Sequence, residues 1–483
     1  MPDVVGDGRP IESPPTSARY TSSPDSRPPV MTERALAASW RESVFNVRVA
    51  ADDGAELIFN TLTHRVLEIR GQLSDSIRQR PALLTTLTSW GMIVPVGTTT
   101  EEEYLTFFAK RAKSTKSLYL LLTTATSCNL ACSYCFENRV RRTEMSPITL
   151  KATTDWIDRW VRDHDIEHIS LTLFGGEPLL APELAFRCLE AIHDTCRTSP
   201  AALEYVLLTT NGLHGDKELL AKLAEAGVTA AQVTFDGDHV TNNVRRRGRR
   251  NLLAGIDVYD TIMANLRAYA RYFDLTVKVN FDKTTIETVP QLFSDLQSIA
   301  GLDPSEYRVK IEPIAIWKPT GSQQNKEQQL YDSSGKELAK AFATIIRAAE
   351  ATSTGLDLSA MFPTPCMVSS PSSFLIEPDG SLRSCISAFG LDEFYVGSVL
   401  DSCGSSCADH GRSVTGPDTQ DLAKCLERQC SYLPVCDGGC KYEVHLQGLP
   451  KTRMQCKIPY FDEAVPIYTQ FKHQNQRLRF SVG

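Results

Sequence analysis

Between residue 118 and about residue 350, apolar runs of strand length alternate with stretches whose apolar residues recur at helical spacing. That alternation predicts a parallel sheet with crossover helices. The strand candidates are "LYLLLTT", "HISLTLFGG", "LEYVLLTTNG", "AAQVTFDG", "LTVKVNFD" and "YRVKIEPIA". Each is a short apolar run, as strands buried on both faces must be. Between them, Ser146 and Pro147 open a helix at its cap and first turn, "DKELLAKLAEAG" ends at Gly227, and "VYDTIMANLRAYARY" places apolar residues along one face. Six such units predict a partial (β/α)6 barrel resembling a TIM barrel over residues 115–350, with chemistry at the C-terminal ends of its strands.

The flanks read differently. Residues 1–30 are rich in Pro, Ser and Asp with almost no apolar periodicity, which predicts a disordered tail and leaves Met31 open as the true start. Residues 40–112 carry strand-like "SVFNVRVA" and "AELIFNTLTHRVLEI", helical "PALLTTLTSW", then "GMIVPV" and helical "TEEEYLTFFAKRA". This predicts a small α+β domain, either a packing module or a winged-helix element that binds a leader peptide. Residues 360–460 hold nine of the 14 cysteines among short strands and turns, and a segment so poor in apolar runs folds around metal. Residues 461–483 read as a C-terminal helix and tail.

Composition narrows the function. A chain of 483 residues with 42% hydrophobic and 23% charged content can bury one large core and a smaller one or two. The net charge of −7 argues against a nucleic-acid binder. No apolar stretch reaches the ~20 residues of a membrane helix and no export pattern opens the chain, so a cytoplasmic protein without membrane contact is expected. There the cysteines stay reduced, which favours metal or redox use over disulfides.

The sharpest chemical signal is "TSCNLACSYCFE", residues 126–137, with Cys128, Cys132 and Cys135 at gaps of three and two. Chance would produce such a spacing only about 0.01 times per chain of this cysteine content. Structural zinc is the rival, but it takes four ligands, commonly as two pairs, and no fourth Cys or His lies near this loop. Three thiolates suit an iron–sulfur cubane whose fourth iron stays open. The motif C-x3-C-x2-C, with Tyr134 before its last cysteine, resembles that of the radical S-adenosylmethionine (SAM) superfamily. "FGGEP" at 174–178 is similar to the superfamily's GGE element, which implies close backbone approach at Gly175 and Gly176 and a SAM ammonium contact at Glu177. "TTNG" at 209–212, with Asn211, and "VNFD", with Asn280, fall where that resemblance implies further cofactor contacts. Taken singly, each of these is also an ordinary turn or helix-start residue.

The C-terminal thiols, Cys366, Cys385, Cys425, Cys430, Cys436, Cys440 and Cys456, are similar to the SPASM extension of radical SAM enzymes that modify peptides. The resemblance implies two auxiliary [4Fe-4S] clusters, one on Cys366, Cys385 and Cys440, the other on Cys425, Cys430, Cys436 and Cys456. The gap of four between Cys425 and Cys430 departs from the family's two. Cys403, Cys407 or an open site would complete the first auxiliary cluster, and one or two zinc ribbons are the competing reading. Cys188 and Cys196 sit on a helical stretch and are expected to be buried structural thiols.

"RRRGRR", residues 245–250, is read as a solvated loop rather than a phosphate or peptide site, and Arg245 as the arginine the family keeps in this region. Asp236 at a strand end is either a ligand contact or a turn residue. The leading expectation is a radical SAM/SPASM maturase that abstracts hydrogen from a ribosomally made precursor peptide and forms a thioether or carbon–carbon crosslink. It would use SAM, one SAM-binding and two auxiliary [4Fe-4S] clusters, and a donor such as flavodoxin or ferredoxin. The sequence names no catalytic side chain. Sulfatase-type oxidation of Cys or Ser to formylglycine is the alternative, and a zinc-stabilised binding protein the remaining one.

Overall fold

The computed structural model describes residues 40–51, 54–113, 116–249, 252–314, 335–362, 366–401, 419–449, 454–475 and 481–482. The expected tail 1–30, Met31, Cys403 and Cys407 lie outside the described residues. The strands are β1 (Trp40–Glu42), β2 (Asn46–Ala50), β3 (Glu56–Asn60), β4 (Arg65–Ile69), β5 (Ile93–Pro95), β6 (Ser117–Thr123), β7 (His168–Phe174) and β8 (Ala202–Thr210). They continue as β9 (Ala230–Phe235), β10 (Asp274–Phe281), β11 (Tyr307–Pro313), β12 (Leu356–Asp357), β13 (Ser373–Ile376), β14 (Ser381–Arg383), β15 (Tyr395–Ser398) and β16 (Ser481–Val482).

The six strands expected of the barrel, β6 to β11, are all present, parallel and laid down in chain order. The sheet is wider than the sequence suggests. Its order is β12-β11-β10-β9-β8-β7-β6-β13-β14-β15, so β13 adds in parallel beside β6 and carries the C-terminal β14 and β15 on its edge. The first part of the thiol-rich region, residues 373–398, thus extends the central sheet. Local chemistry explains the crossover helices. The Ser146 hydroxyl accepts the Thr149 N–H at 3.1 Å to start the helix Pro147–Asp163, whose Trp156, Ile157, Trp160 and Val161 are buried against the sheet. Asp216 and Asp257 cap the helices Lys217–Glu225 and Val258–Tyr272 in the same way. β9 is buried along its whole length, as a central parallel strand must be.

The N-terminal unit builds the antiparallel meander β2-β3-β4, with short helices Leu73–Gln79 and Leu83–Ser89 behind it and β1 paired to β5. It is tied to the C-terminal region at both ends. Phe45, Leu62 and Tyr104 share a core with Leu422 and Leu433. The helix Ile458–Asn475 crosses back onto the meander, with Tyr468 meeting Phe59 and Phe362 at ring separations of 5.5 and 4.6 Å and Lys472 donating to the His64 carbonyl. β16 pairs in parallel with β4. Among the described residues no helix is long and apolar enough to cross a membrane.

Candidate active site

The three-cysteine loop leaves the C-terminal end of β6, and neighbouring loops fix its backbone on two sides. From β7, Gly176 N–H donates to the Ala125 carbonyl at 3.0 Å and Glu177 N–H to that of Ser127 at 2.9 Å. Only glycine fits there. A β-carbon on Gly175 would stand 2.4 Å from the Ala125 oxygen and one on Gly176 2.2 Å from the Ser127 oxygen, and Gly175 also needs a φ of +125°. The glycines therefore serve the meeting of two loops. On the other side, the Ala131 N–H reaches the Arg247 carbonyl at 2.8 Å, the Arg249 N–H that of Asn129 at 2.9 Å, and Arg249 Nε that of Cys128 at 2.9 Å. Residues 245–249 are thus a strap across the cysteine loop, not the solvated run their charge suggests. Arg250 lies outside the described residues.

The thiols of Cys128, Cys132 and Cys135 converge closely enough for each to feel the others. Burial pushes them up to about 11, 12 and 12 respectively, so without a cationic partner they stay protonated. Around them lie the residues singled out from the sequence. Glu177 is 0% exposed, and its carboxylate accepts from Asn211 N–H (2.7 Å), Thr210 Oγ1 (2.9 Å) and Leu179 N–H (3.1 Å). Burial raises its pKa against those bonds. Asn211 donates to Asn129 Oδ1 at 2.7 Å beside Cys128. Asn280 belongs to a second layer: its amide donates to Tyr134 Oη at 3.0 Å and Asp236 Oδ1 at 3.2 Å, and Tyr134 Oη donates to Asp236 at 2.8 Å.

Three residues of this layer escaped the sequence reading. Arg246 is buried and directs Nη1 to Tyr134 Oη at 3.3 Å, whereas Arg245, the one singled out, pairs with Asp282. Helical phase decides between neighbouring arginines, and a run of identical residues carries no signal of it. Tyr134 was noted only as an aromatic position of the motif. Glu137 is buried, and burial together with Glu177 and Glu377 pushes its carboxyl up to about 8.

The seven C-terminal thiols gather as two groups. Cys366, Cys385 and Cys440 influence one another, as do Cys425, Cys430, Cys436 and Cys456, so the wide gap after Cys425 does not remove it from its group. Cys135, Cys366, Cys385 and Cys440 each occupy the cap position of a short helix or 3-10 turn. Backbone N–H groups there lower the thiol pKa, but burial outweighs them and holds all four thiols above their ordinary value. Cys188 is 0% exposed in the core, while Cys196 is only partly buried.

The donors fit an iron–sulfur cluster: three thiols at one strand end, a glycine cradle a β-carbon would fill, and buried Asp236 Oδ2, Glu137 Oε2 and Arg246 Nε that find no hydrogen-bond partner among the described residues. Comparison with known proteins agrees. Residues 122–296 match the radical SAM superfamily. The chain is 23% identical over 336 residues to the mycofactocin maturase MftC of Mycolicibacterium smegmatis, covering 67% of this chain and 78% of that protein. It is 31% identical over 147 residues to molybdenum cofactor biosynthesis protein 1 of Mus musculus, covering 29% and 21%. Its fold resembles that of native anSMEcpe with bound AdoMet and Kp18Cys peptide, with a TM-score of 0.55 and 17% identity over 74% of this chain and 99% of that one.

Proposed function

We propose that this chain, a radical SAM enzyme whose cofactors are SAM and [4Fe-4S] clusters, installs a post-translational modification on a ribosomally made precursor peptide, forming a thioether or carbon–carbon crosslink. The carrying observation is the gathering of its thiols into one group at the barrel's strand ends and two groups in the C-terminal extension. The name of the mycofactocin maturase relative supports the same class.

Cys128, Cys132 and Cys135 would hold the cluster that binds SAM, and the two C-terminal groups would hold the auxiliary clusters. Held there and reduced, such a cluster would supply the one-electron chemistry that cleaves SAM. The protein's own part is placement. Gly175 and Gly176 admit the cysteine loop, Glu177 presents a fixed carboxylate for an ammonium group, and Asn211 holds the Asn129 side chain beside Cys128. Tyr134, Asp236, Asn280 and Arg246 form a dry polar wall against which a nucleoside can be oriented. Residues 40–112 would grip the leader peptide, a flavodoxin or ferredoxin would donate electrons, and the reaction would run in the cytoplasm.

Anaerobically reconstituted enzyme with reductant, SAM and the peptide encoded beside its gene should change that peptide's mass. An unchanged peptide alongside SAM cleavage would reject that substrate. Sulfatase-type maturation predicts that residues 40–112 are dispensable. Phe45 and Tyr104 pack against the wall of the Cys425 group, so point changes on the meander, rather than deletion, discriminate the two readings.

A further inference from the structure

The face of the sheet that looks into the barrel carries charges for which the cluster site has no use. On β10, Val277, Val279 and Phe281 are fully buried, and Phe281 meets Phe342 of the outer helix Lys336–Ala351 at 5.4 Å. Alternation therefore turns Thr276, Lys278 and Asn280 inward, and the contacts of Asn280 with Tyr134 and Asp236 agree. On β11, Val309 and Ile311 turn outward and Arg308, Lys310 and Glu312 inward.

Register then sets Lys278 directly beside Lys310, with Arg308 beside Thr276 and Glu312 beside Asn280. Beyond Lys310 lies Asp357 of β12. Like charges abreast on adjacent strands are destabilising, and the neighbours offset them only in part. Lys278 pairs with Glu312 at 2.8 Å, and Asp357 Oδ1 accepts the Ser359 N–H at 2.8 Å. Among the described residues no ion pair holds Lys310. Burial would raise the Glu312 carboxyl, yet Lys278 and Lys310 together hold it down to about 2. By the same alternation Asp274 lies on this face at the foot of β10, so Lys278, Arg308 and Lys310 face Glu312, Asp357 and Asp274, with the two lysines side by side at one level, and the Lys278 and Glu312 side chains keep 22% and 41% exposure. The lysines stand one strand repeat, about 7 Å, below the Asn280 layer.

We propose that Lys278 and Lys310 form an anion subsite on the lumen wall that binds a carboxylate of the peptide substrate, an acidic side chain or the C-terminus, and so places the neighbouring residue under the cofactor layer. The subsite rests on the reading that the substrate is a peptide, and two arms separate the two ideas. In the first, trifluoroacetate is titrated against the cluster-loaded enzyme and its Lys310→Met variant, with fluorine line broadening as the readout. Saturable broadening that weakens about tenfold in the variant is expected, and identical broadening in both overturns the subsite whatever the substrate is.

The second arm uses the peptide encoded beside the gene as free acid, as C-terminal amide, and with its Asp and Glu changed to Asn and Gln. One of the neutralised forms should raise the wild-type KM about tenfold, naming the source of the carboxylate, while Lys310→Met treats all forms alike and keeps its affinity for SAM. Equal KM for every form with the wild-type enzyme, or loss of SAM affinity in the variant, refutes the assignment. Broadening as expected without any turnover of that peptide leaves the subsite standing and rejects that peptide as the substrate.

Discussion

Gly176→Ala tests the cradle most directly. The added carbon would lie 2.2 Å from the Ser127 carbonyl oxygen, 2.6 Å from the Ser127 carbonyl carbon and 2.7 Å from that of Thr126. An ordinary carbon–oxygen contact is about 3.3 Å, so the GGE turn and the cysteine loop must part by about 1 Å. At that separation the bonds Gly176 N–H to Ala125 and Glu177 N–H to Ser127, now 3.0 and 2.9 Å, pass beyond hydrogen-bonding distance. Losing two buried bonds costs ~1 kcal/mol each, and the overpacking adds ~1–3 kcal/mol. The total is roughly 3–5 kcal/mol, drawn from the geometry that gathers Cys128, Cys132 and Cys135, and about 1.4 kcal/mol corresponds to a tenfold weaker association. Iron per chain and visible absorbance after anaerobic reconstitution should fall by one cluster's share, and SAM cleavage should disappear. Thermal unfolding of the cluster-free variant reads the packing cost separately. A Gly176→Ala enzyme that loads full iron and cleaves SAM at the wild-type rate would refute the close-approach argument.

Other perturbations read other parts of the fold. Glu177→Gln turns an amide donor toward N–H groups the carboxylate now accepts, costing ~1–3 kcal/mol. Equilibrium binding of SAM should weaken at least tenfold, and unchanged binding would remove Glu177 from the cofactor site. Phe45→Ala empties a fully buried position in the apolar cluster against which Cys425 and Cys430 pack at ~3–5 kcal/mol. It should lower iron by one auxiliary cluster while SAM cleavage persists, and full iron content would contradict the shared wall. Burial, reinforced by Arg65, holds the Lys472 ammonium down to about 8 from its ordinary 10.5. The unfolded chain then binds the extra proton between about pH 8 and 10.5, so this group's cost is fully present below 8 and is relieved as pH rises through that window. Lys472→Met should raise Tm at pH 7 and flatten the rise above pH 8, and an unaltered pH profile would show that the helix Ile458–Asn475 does not bury that charge.

Much of the molecule was legible from local pattern alone. The six barrel strands, the caps at Ser146 and Asp216, and the cysteine loop at the end of β6 all follow from periodicities and spacings spanning a few residues. The same reasoning misjudged residues 245–249, because charge predicts solvation while the backbone of Arg245, Arg247 and Arg249 supplies the carbonyls and N–H group that hold the cysteine loop. It also stopped the sheet at β11, since β13 is four residues long and finds its place only by pairing with β6.

The sequence by itself determined the strands of the barrel and the placing of three thiols in one loop, because thiols a few residues apart need no distant partner and a strand's apolar run declares its buried faces. The tertiary structure alone decided that β13 joins the sheet beside β6, that Arg246 rather than Arg245 turns to Tyr134, and that Lys278 stands beside Lys310. Those are facts of strand order, helical phase and register, set by how faces close on one another, and side-chain chemistry read along a line does not contain them.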